Sequence, residues 1–237
     1  MDVALIGAGR LGRSLAVLLA AAGHRATLVG RGEAIPRCDL VWVTTPDRAL
    51  EAVGRALPPG VPALHSAGSR GPDALAPHAP SGLLHPLMTF PGPEIGLPSL
   101  AGVGAAVAGH PAAEACARQL ATDLGMVPFA APADPALYHA AAAIAGNYVA
   151  VLLAEAARVL AAAGVPEGTA LLAPLAIESL RNAARAPARA LTGPAARGDL
   201  DTLARHRLAL RAAGLRDVSD LADSLAERAL VLTKRPS

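Results

Sequence analysis

Val3-Ala4-Leu5-Ile6-Gly7-Ala8-Gly9-Arg10-Leu11-Gly12 is the stretch that decides the fold. Four apolar residues read as a buried strand and run directly into GxGxxG. Residues 10–22 then carry helical spacing, and Gly23 supplies a C-terminal stop. In such a strand–turn–helix the first glycine makes the tight turn, and the second lets backbone N–H groups approach a pyrophosphate. The third lets the helix pack close to the strand. A second apolar run, residues 26–29, ends some 20 residues after the turn, where a dinucleotide-binding unit needs it. Gly7, Ala8, Gly9, Arg10, Leu11 and Gly12 are therefore expected to hold a dinucleotide. The alternative is a glycine-rich turn with no ligand.

The end of the second strand selects the nucleotide. An acidic residue there would accept from a ribose 2′-hydroxyl, but this chain reads Leu28-Val29-Gly30-Arg31. Gly30 and Arg31 suit a 2′-phosphate, so NADP is expected over NAD, although Arg31 could be merely solvated. Residues 31–38 separate this strand from the next apolar run, too few for a crossover helix. Extended, they reach about 26 Å, and returning along a strand and past one neighbour needs about 20 Å. The chain is thus expected to skip the usual third strand and enter the sheet on the other side of the first. That third run ends in Thr44-Thr45-Pro46, placing these three residues at the carboxyl edge where an open parallel sheet holds its ligand. Asp47 would cap the following helix.

Further short apolar runs at residues 63–66, 82–84 and 103–108 alternate with helical spacing at 47–57 and 112–124. After Pro132 only helices are expected, at about 134–163, 167–185, 199–213 and 217–233. The fold class is α/β: an abbreviated Rossmann parallel sheet followed by a smaller all-helical domain. Residues 1–130 form the NAD(P)-binding part, and 131–237 a helical part for substrate and dimerisation. The helix over 134–163 is apolar nearly all round, so it is expected to be buried on every side. In so small a helical domain a second subunit is the simplest source of the missing wall, which predicts a homodimer through that domain.

Composition excludes several classes. A net charge of +2, with two Phe, two Tyr and one Trp, gives neither the charge nor the stacking platforms of a nucleic-acid binder. Cys38 and Cys116 make no metal or redox pair, and no metal is expected. The most apolar stretch, residues 140–154, is shorter than the about 18–20 residues of a span, and no secretory signal is read, so no membrane partner and a cytoplasmic location are expected. The basic residues are 20 Arg and one Lys, Lys234, which removes lysine-based mechanisms.

Ser66 and His85 each follow a strand and should reach the carboxyl edge. Pro86 keeps His85 extended, and a histidine there can polarise a carbonyl and exchange a proton; bonding to a loop backbone is the bland alternative. His139, Ala143 and Asn147 lie at i, i+4 and i+8, one face of a continuous α-helix. Arg197, in Thr192-Gly193-Pro194-Ala195-Ala196-Arg197-Gly198-Asp199, can clamp a substrate carboxylate, with Asp199 capping the next helix.

The segments GAGRLG at 7–12, LLHPLMTF at 83–90, YHAAAAIAGNY at 138–148 and LTGPAARGDLDTLARH at 191–206 together resemble a family of short bacterial Rossmann-like oxidoreductases. Its members carry an all-helical C-terminal domain, and their substrate is unassigned. More distantly the chain resembles pyrroline-5-carboxylate reductase, ketopantoate reductase, the β-hydroxyacid dehydrogenases and prephenate dehydrogenase. In the last of these a histidine placed like His85 contacts the reacting substrate. In β-hydroxyacid dehydrogenases an Asn placed like Asn147 follows a Lys by four residues, but here that position is Ala143, which leaves His85 or His139 as proton donor.

The resemblance and the residues together imply an NADP-dependent oxidoreductase acting on a small carbonyl or imine compound in a cleft between the domains. Asn147 and Ser66 would fix the substrate and Arg197 would hold a carboxylate; ketopantoate follows from the resemblance only. A non-catalytic NADP-binding sensor or regulatory subunit is the alternative.

Overall fold

A computed structural model describes residues 1–186 and 189–233 of the chain; Lys234 lies outside them. The chain divides into two compact units, Met1–Gly146 and Asn147–Ser237. The change from strands to helices near residue 130 thus precedes the division by one helix.

The first unit is built on a seven-stranded sheet in the order β2-β1-β3-β4-β5-β6-β7. Its strands are β1 (Asp2–Ile6), β2 (Arg25–Val29), β3 (Leu40–Val43), β4 (Ala63–His65), β5 (Ser81–Pro86), β6 (Gly104–Gly109) and β7 (Val127–Ala130). β1 to β5 are mutually parallel, while β6 runs antiparallel to β5 and parallel to β7. β3 pairs with β1 on the side away from β2, in the register Val3 to Leu40 through Ile6 to Val43, as the short linker allowed. Strands in the middle of such a sheet are covered on both faces and read as continuous apolar runs. Leu40, Val41, Trp42 and Val43 are accordingly all fully buried.

Two cores follow from the two faces. One gathers Leu15 and Leu19 of α1 (Arg10–Ala21) and Ala113, Ala117 and Leu120 of α3 (Pro111–Asp123) onto Leu5, Trp42, Leu84 and Val107. The other sets Leu50 of α2 (Leu50–Ala56), with Leu57 and Leu75, against Ala4, Val41, Val43 and Ala63. β7 was not expected from the sequence, and Pro128 falls inside it. It is the last strand of the sheet, where a residue without an N–H donor is tolerated. Asp47 does not cap a helix. It is the first residue of a short 3₁₀ turn, Asp47–Ala49, and its carboxylate accepts from the Ser69 hydroxyl at 2.8 Å. α4 (Pro135–Ala143) closes this unit, starting where Asp134 accepts from the Leu137 N–H with Pro135 at the first helical position.

The second unit is entirely helical among its described residues: α5 (Val149–Ala162), α6 (Gly168–Arg185), α7 (Gly193–Arg197), α8 (Leu200–Ala212) and α9 (Arg216–Thr233). The turn expected around Gly193-Pro194 contains the short α7, ended by Gly198 in the left-handed region, and Asp199 caps α8 by accepting from the Thr202 N–H. Arg158 joins Glu155 of its own helix to Asp217 of α9.

Two expectations about the long helix change. Ile144–Tyr148 is π-helical, so the α-helical spacing that put His139, Ala143 and Asn147 on one face does not run through it. Burial on every side is also absent: no residue of α4 or α5 is buried, and Leu137, Ile144 and Val151 are 70%, 61% and 51% exposed. The helical run Pro135–Ala162 spans 28 residues and reaches a mean hydropathy of 1.6 over 18 of them, enough by length and composition to cross a membrane. The 15-residue count for 140–154 stopped at His139, yet residues 135–154 contain no Asp, Glu, Lys or Arg.

Candidate active site

The glycine turn takes the shape its sequence implies. Gly7 has φ +115°, a conformation that side chains rarely adopt, and a β-carbon at Gly12 would stand 2.0 Å from the Gly7 carbonyl oxygen. Thr44 secures the turn from the neighbouring strand: its hydroxyl lies 2.9 Å from the Gly7 carbonyl and 3.1 Å from that of Ile6. Gly9 is the N-cap of α1 and makes no side-chain cap, and no acidic residue occupies the first turn. The leading N–H groups of α1, including those of Leu11 and Gly12, therefore keep their capacity for an anion.

Beside the turn lies a cavity of about 930 Å³. Gly7, Ala8 and Gly9, Gly30 and Arg31, and Thr44, Thr45 and Pro46 all line it, and α2 contributes Val53 and Ala56. The Thr45 hydroxyl is buried there without a hydrogen-bond partner, a polar atom that a ligand can satisfy. Arg10 and Leu11 sit in the first turn of α1, outside the cavity lining. These residues fit a dinucleotide: a glycine cradle, an uncapped helix start, an unpartnered hydroxyl and an arginine at the end of β2.

His85 sits near the carboxyl end of β5, opposite the fully buried Ala106 of β6. Its Nδ1 shares a 2.7 Å hydrogen bond with the Tyr138 hydroxyl of α4. The two rings meet edge to face, 5.4 Å apart at 81°, and Tyr138 also packs on Phe129 of β7 at 6.3 Å. Burial, then the neighbouring His139 and His65, push His85 down to about 4 against the opposing pull of Asp47. Burial likewise pushes the Tyr138 phenol up to about 12. Both groups are neutral at pH 7. His85 was expected as a general acid, and a charged imidazolium does not fit this site.

A neutral pair remains a donor. One proton on the imidazole and one on the phenol make two, and the shared bond uses one. The other stays on His85 Nε2 or on the Tyr138 oxygen, depending on the tautomer. Gly68 gives Nε2 its space, since a β-carbon there would stand 2.7 Å away.

The remaining expected residues divide. His139 lies 6.2 Å from the His85 ring, exposed and within the same unit. Ser66 is committed elsewhere: its hydroxyl donates to the Leu84 carbonyl at 3.0 Å and accepts from the Trp42 indole N–H at 2.8 Å, so it has no proton left for a substrate. Asn147 and Arg197 belong to the second unit, where both are exposed. Tyr138 was overlooked. Its signal was present, as one of only two tyrosines, immediately before His139 and just after the Asp134-Pro135 helix start.

The sheet order, the glycine turn and the helical second unit define a Rossmann-like protein with an all-helical C-terminal part. The chain belongs to the family described as a domain of unknown function, DUF2520, which matches residues 103–228, just over half of its length. It is similar in fold to a Bacteroides fragilis protein described as a candidate NADP oxidoreductase, with 22% identity, 97% of each chain covered and a TM-score of 0.82. It is also similar to the 1-pyrroline-5-carboxylate reductase of Streptococcus pyogenes, at 16% identity, 98% of each chain and a TM-score of 0.60. An imine reductase of Myxococcus stipitatus, solved with NADP+, gives 18% identity, 97% of this chain, 94% of its own and a TM-score of 0.60. No curated protein matches the sequence.

Proposed function

We propose that the protein is an NADP-dependent oxidoreductase that reduces a small carbonyl or imine compound, with His85 and Tyr138 as its proton-donating pair. The observation that carries this reading is the presence, on one sheet, of a cavity lined by the glycine turn and the end of β2 and of a neutral donor pair. The fold it shares with an imine reductase solved with NADP+ and with a 1-pyrroline-5-carboxylate reductase supports it. Gly7, Gly9 and the start of α1 would hold the pyrophosphate, Arg31 the 2′-phosphate, and Thr45 a polar group of the bound nucleotide. When bound, NADPH supplies the two-electron reducing equivalent.

The chain's own part is to place a proton. As negative charge builds on the substrate's oxygen or nitrogen, the free N–H or O–H of the pair donates to it. The bond between His85 and Tyr138 keeps the second proton and shares the negative charge left on the pair, and a proton from solvent restores the donor before the next turnover. Arg197 and Asn147 remain candidates for substrate contact, to be read from KM. Ketopantoate and cyclic imines bearing a carboxylate are the substrates to try first.

A homodimer belongs to the same proposal. Among the described residues of the second unit only Gly168, Val218 and Ser219 are buried, far short of the core that a helical unit of this size needs. A second copy presenting the same apolar helices is the simplest complement.

NADPH consumption with a panel of 2-oxo acids, ketones and cyclic imines tests the activity. Turnover with one class supports it. Tight NADPH binding with no turnover across the panel would replace it with a nucleotide-binding regulatory role.

A further inference from the structure

The end of β2 carries a second charged residue besides Arg31. Glu33 folds back over the turn, and its carboxylate accepts the Gly30 N–H at 2.7 Å while its own N–H donates to the Gly30 carbonyl at 3.3 Å. Gly32, at φ +80°, lets the chain double back so tightly. The approach is close enough that a β-carbon at Gly30 would stand 3.2 Å from the carboxylate carbon. Glu33 lines the cavity together with Gly30 and Arg31. Among the described residues neither Glu33 nor Arg31 forms an ion pair, so the two charges face the cavity independently.

Gly30 N–H is the first backbone donor beyond β2, at the lip where an adenosine ribose rests when a dinucleotide lies along the glycine turn. A 2′-phosphate arriving there meets attraction from Arg31 and repulsion from a carboxylate already holding the local N–H. A 2′-hydroxyl meets no such repulsion. We infer that Glu33 is a specificity-determining residue of this pocket: it occupies the Gly30 N–H as an internal anion and limits the affinity for the 2′-phosphorylated nucleotide that Arg31 promotes. The inference rests on the proposed use of the cavity for NADP.

Titration of NADPH and NADH against the wild type and Glu33→Gln tests it, with Glu33→Ala as a second variant and 2′,5′-ADP as a probe lacking the nicotinamide. Both variants should bind NADPH and 2′,5′-ADP about tenfold more tightly, with NADH changed by less than about twofold. An unchanged ratio of the two nucleotides overturns the inference alone. So does a loss confined to NADH, which would make Glu33 a ribose-hydroxyl acceptor. If neither nucleotide binds any of the proteins, the reading of the cavity itself falls, and the inference with it.

Discussion

Tyr138 and His85, 53 residues apart in sequence, share a 2.7 Å hydrogen bond that joins the first helix after the sheet to the carboxyl end of β5. The bond links a phenol and an imidazole that are both neutral at pH 7, which sets the chemistry the site can perform.

Stability should report the neutral imidazole. An unfolded histidine takes up its proton near 6.5, whereas native His85 does so at about 4. As pH falls through that interval the unfolded chain gains a proton that the native chain refuses, so stability should drop by up to about 3 kcal/mol. Buried His65, also held below the usual range by desolvation, acts in the same direction. Urea unfolding at about pH 7.5 and about pH 4.5 measures the loss, and His85→Asn should lose distinctly less than the wild type. Equal losses in both proteins would contradict a depressed His85.

Gly68 should be intolerant of even one methyl group. A β-carbon 2.7 Å from His85 Nε2 must displace the ring or the loop. Gly68→Ala should lower turnover at least about tenfold while leaving the NADPH dissociation constant within about twofold, because the cavity lining does not include Gly68. Turnover unchanged in the variant would show that His85 needs no such space.

Arg31→Ala should weaken NADPH about tenfold or more, the value of one charge-assisted hydrogen bond, and leave NADH nearly unaffected. Higher salt should narrow the difference between the nucleotides in the wild type. Isothermal titration of both nucleotides gives the numbers. Equal affinity of the wild type for the two would remove the NADP assignment without touching the fold.

Light scattering at micromolar concentration should give twice the chain mass of 23.7 kDa. Val151→Glu, a charge placed on the exposed apolar face of α5, should shift the mass toward one chain. A wild-type monomer that stays dispersed would contradict the dimer. A chain that partitions into detergent or lipid would instead assign the helical run Pro135–Ala162 to a membrane.

Much of the first unit was legible because its signals are local. Apolar runs gave β1 to β6 within a residue or two, and the eight residues from Arg31 to Cys38 were too short for a helix yet long enough to reach the far side of β1, where β3 pairs. What the sequence hid depends on contacts between distant segments. Val127–Ala130 was not among the apolar runs read as strands, and it proved to be an edge strand of the sheet. Ser66 read as a free hydroxyl until Trp42 and Leu84 were found on either side of it. Tyr138 had no meaning without the strand it reaches. The π-helical turn at Ile144–Tyr148 broke a spacing argument that presumed an uninterrupted α-helix. Glu33 escaped because the expected acidic residue would stand at the strand end itself, not three residues on in a turn that folds back.

The central claim concerns proton donation by the His85 and Tyr138 pair. It is tested most directly by NADPH consumption at saturating nucleotide, comparing wild type with Tyr138→Phe on whichever carbonyl or imine compound the wild type turns over. Loss of the phenolic proton should lower kcat by about 10²- to 10⁴-fold with the NADPH dissociation constant unchanged, since Tyr138 lies outside the nucleotide cavity. Equal kcat in the two proteins would contradict the account.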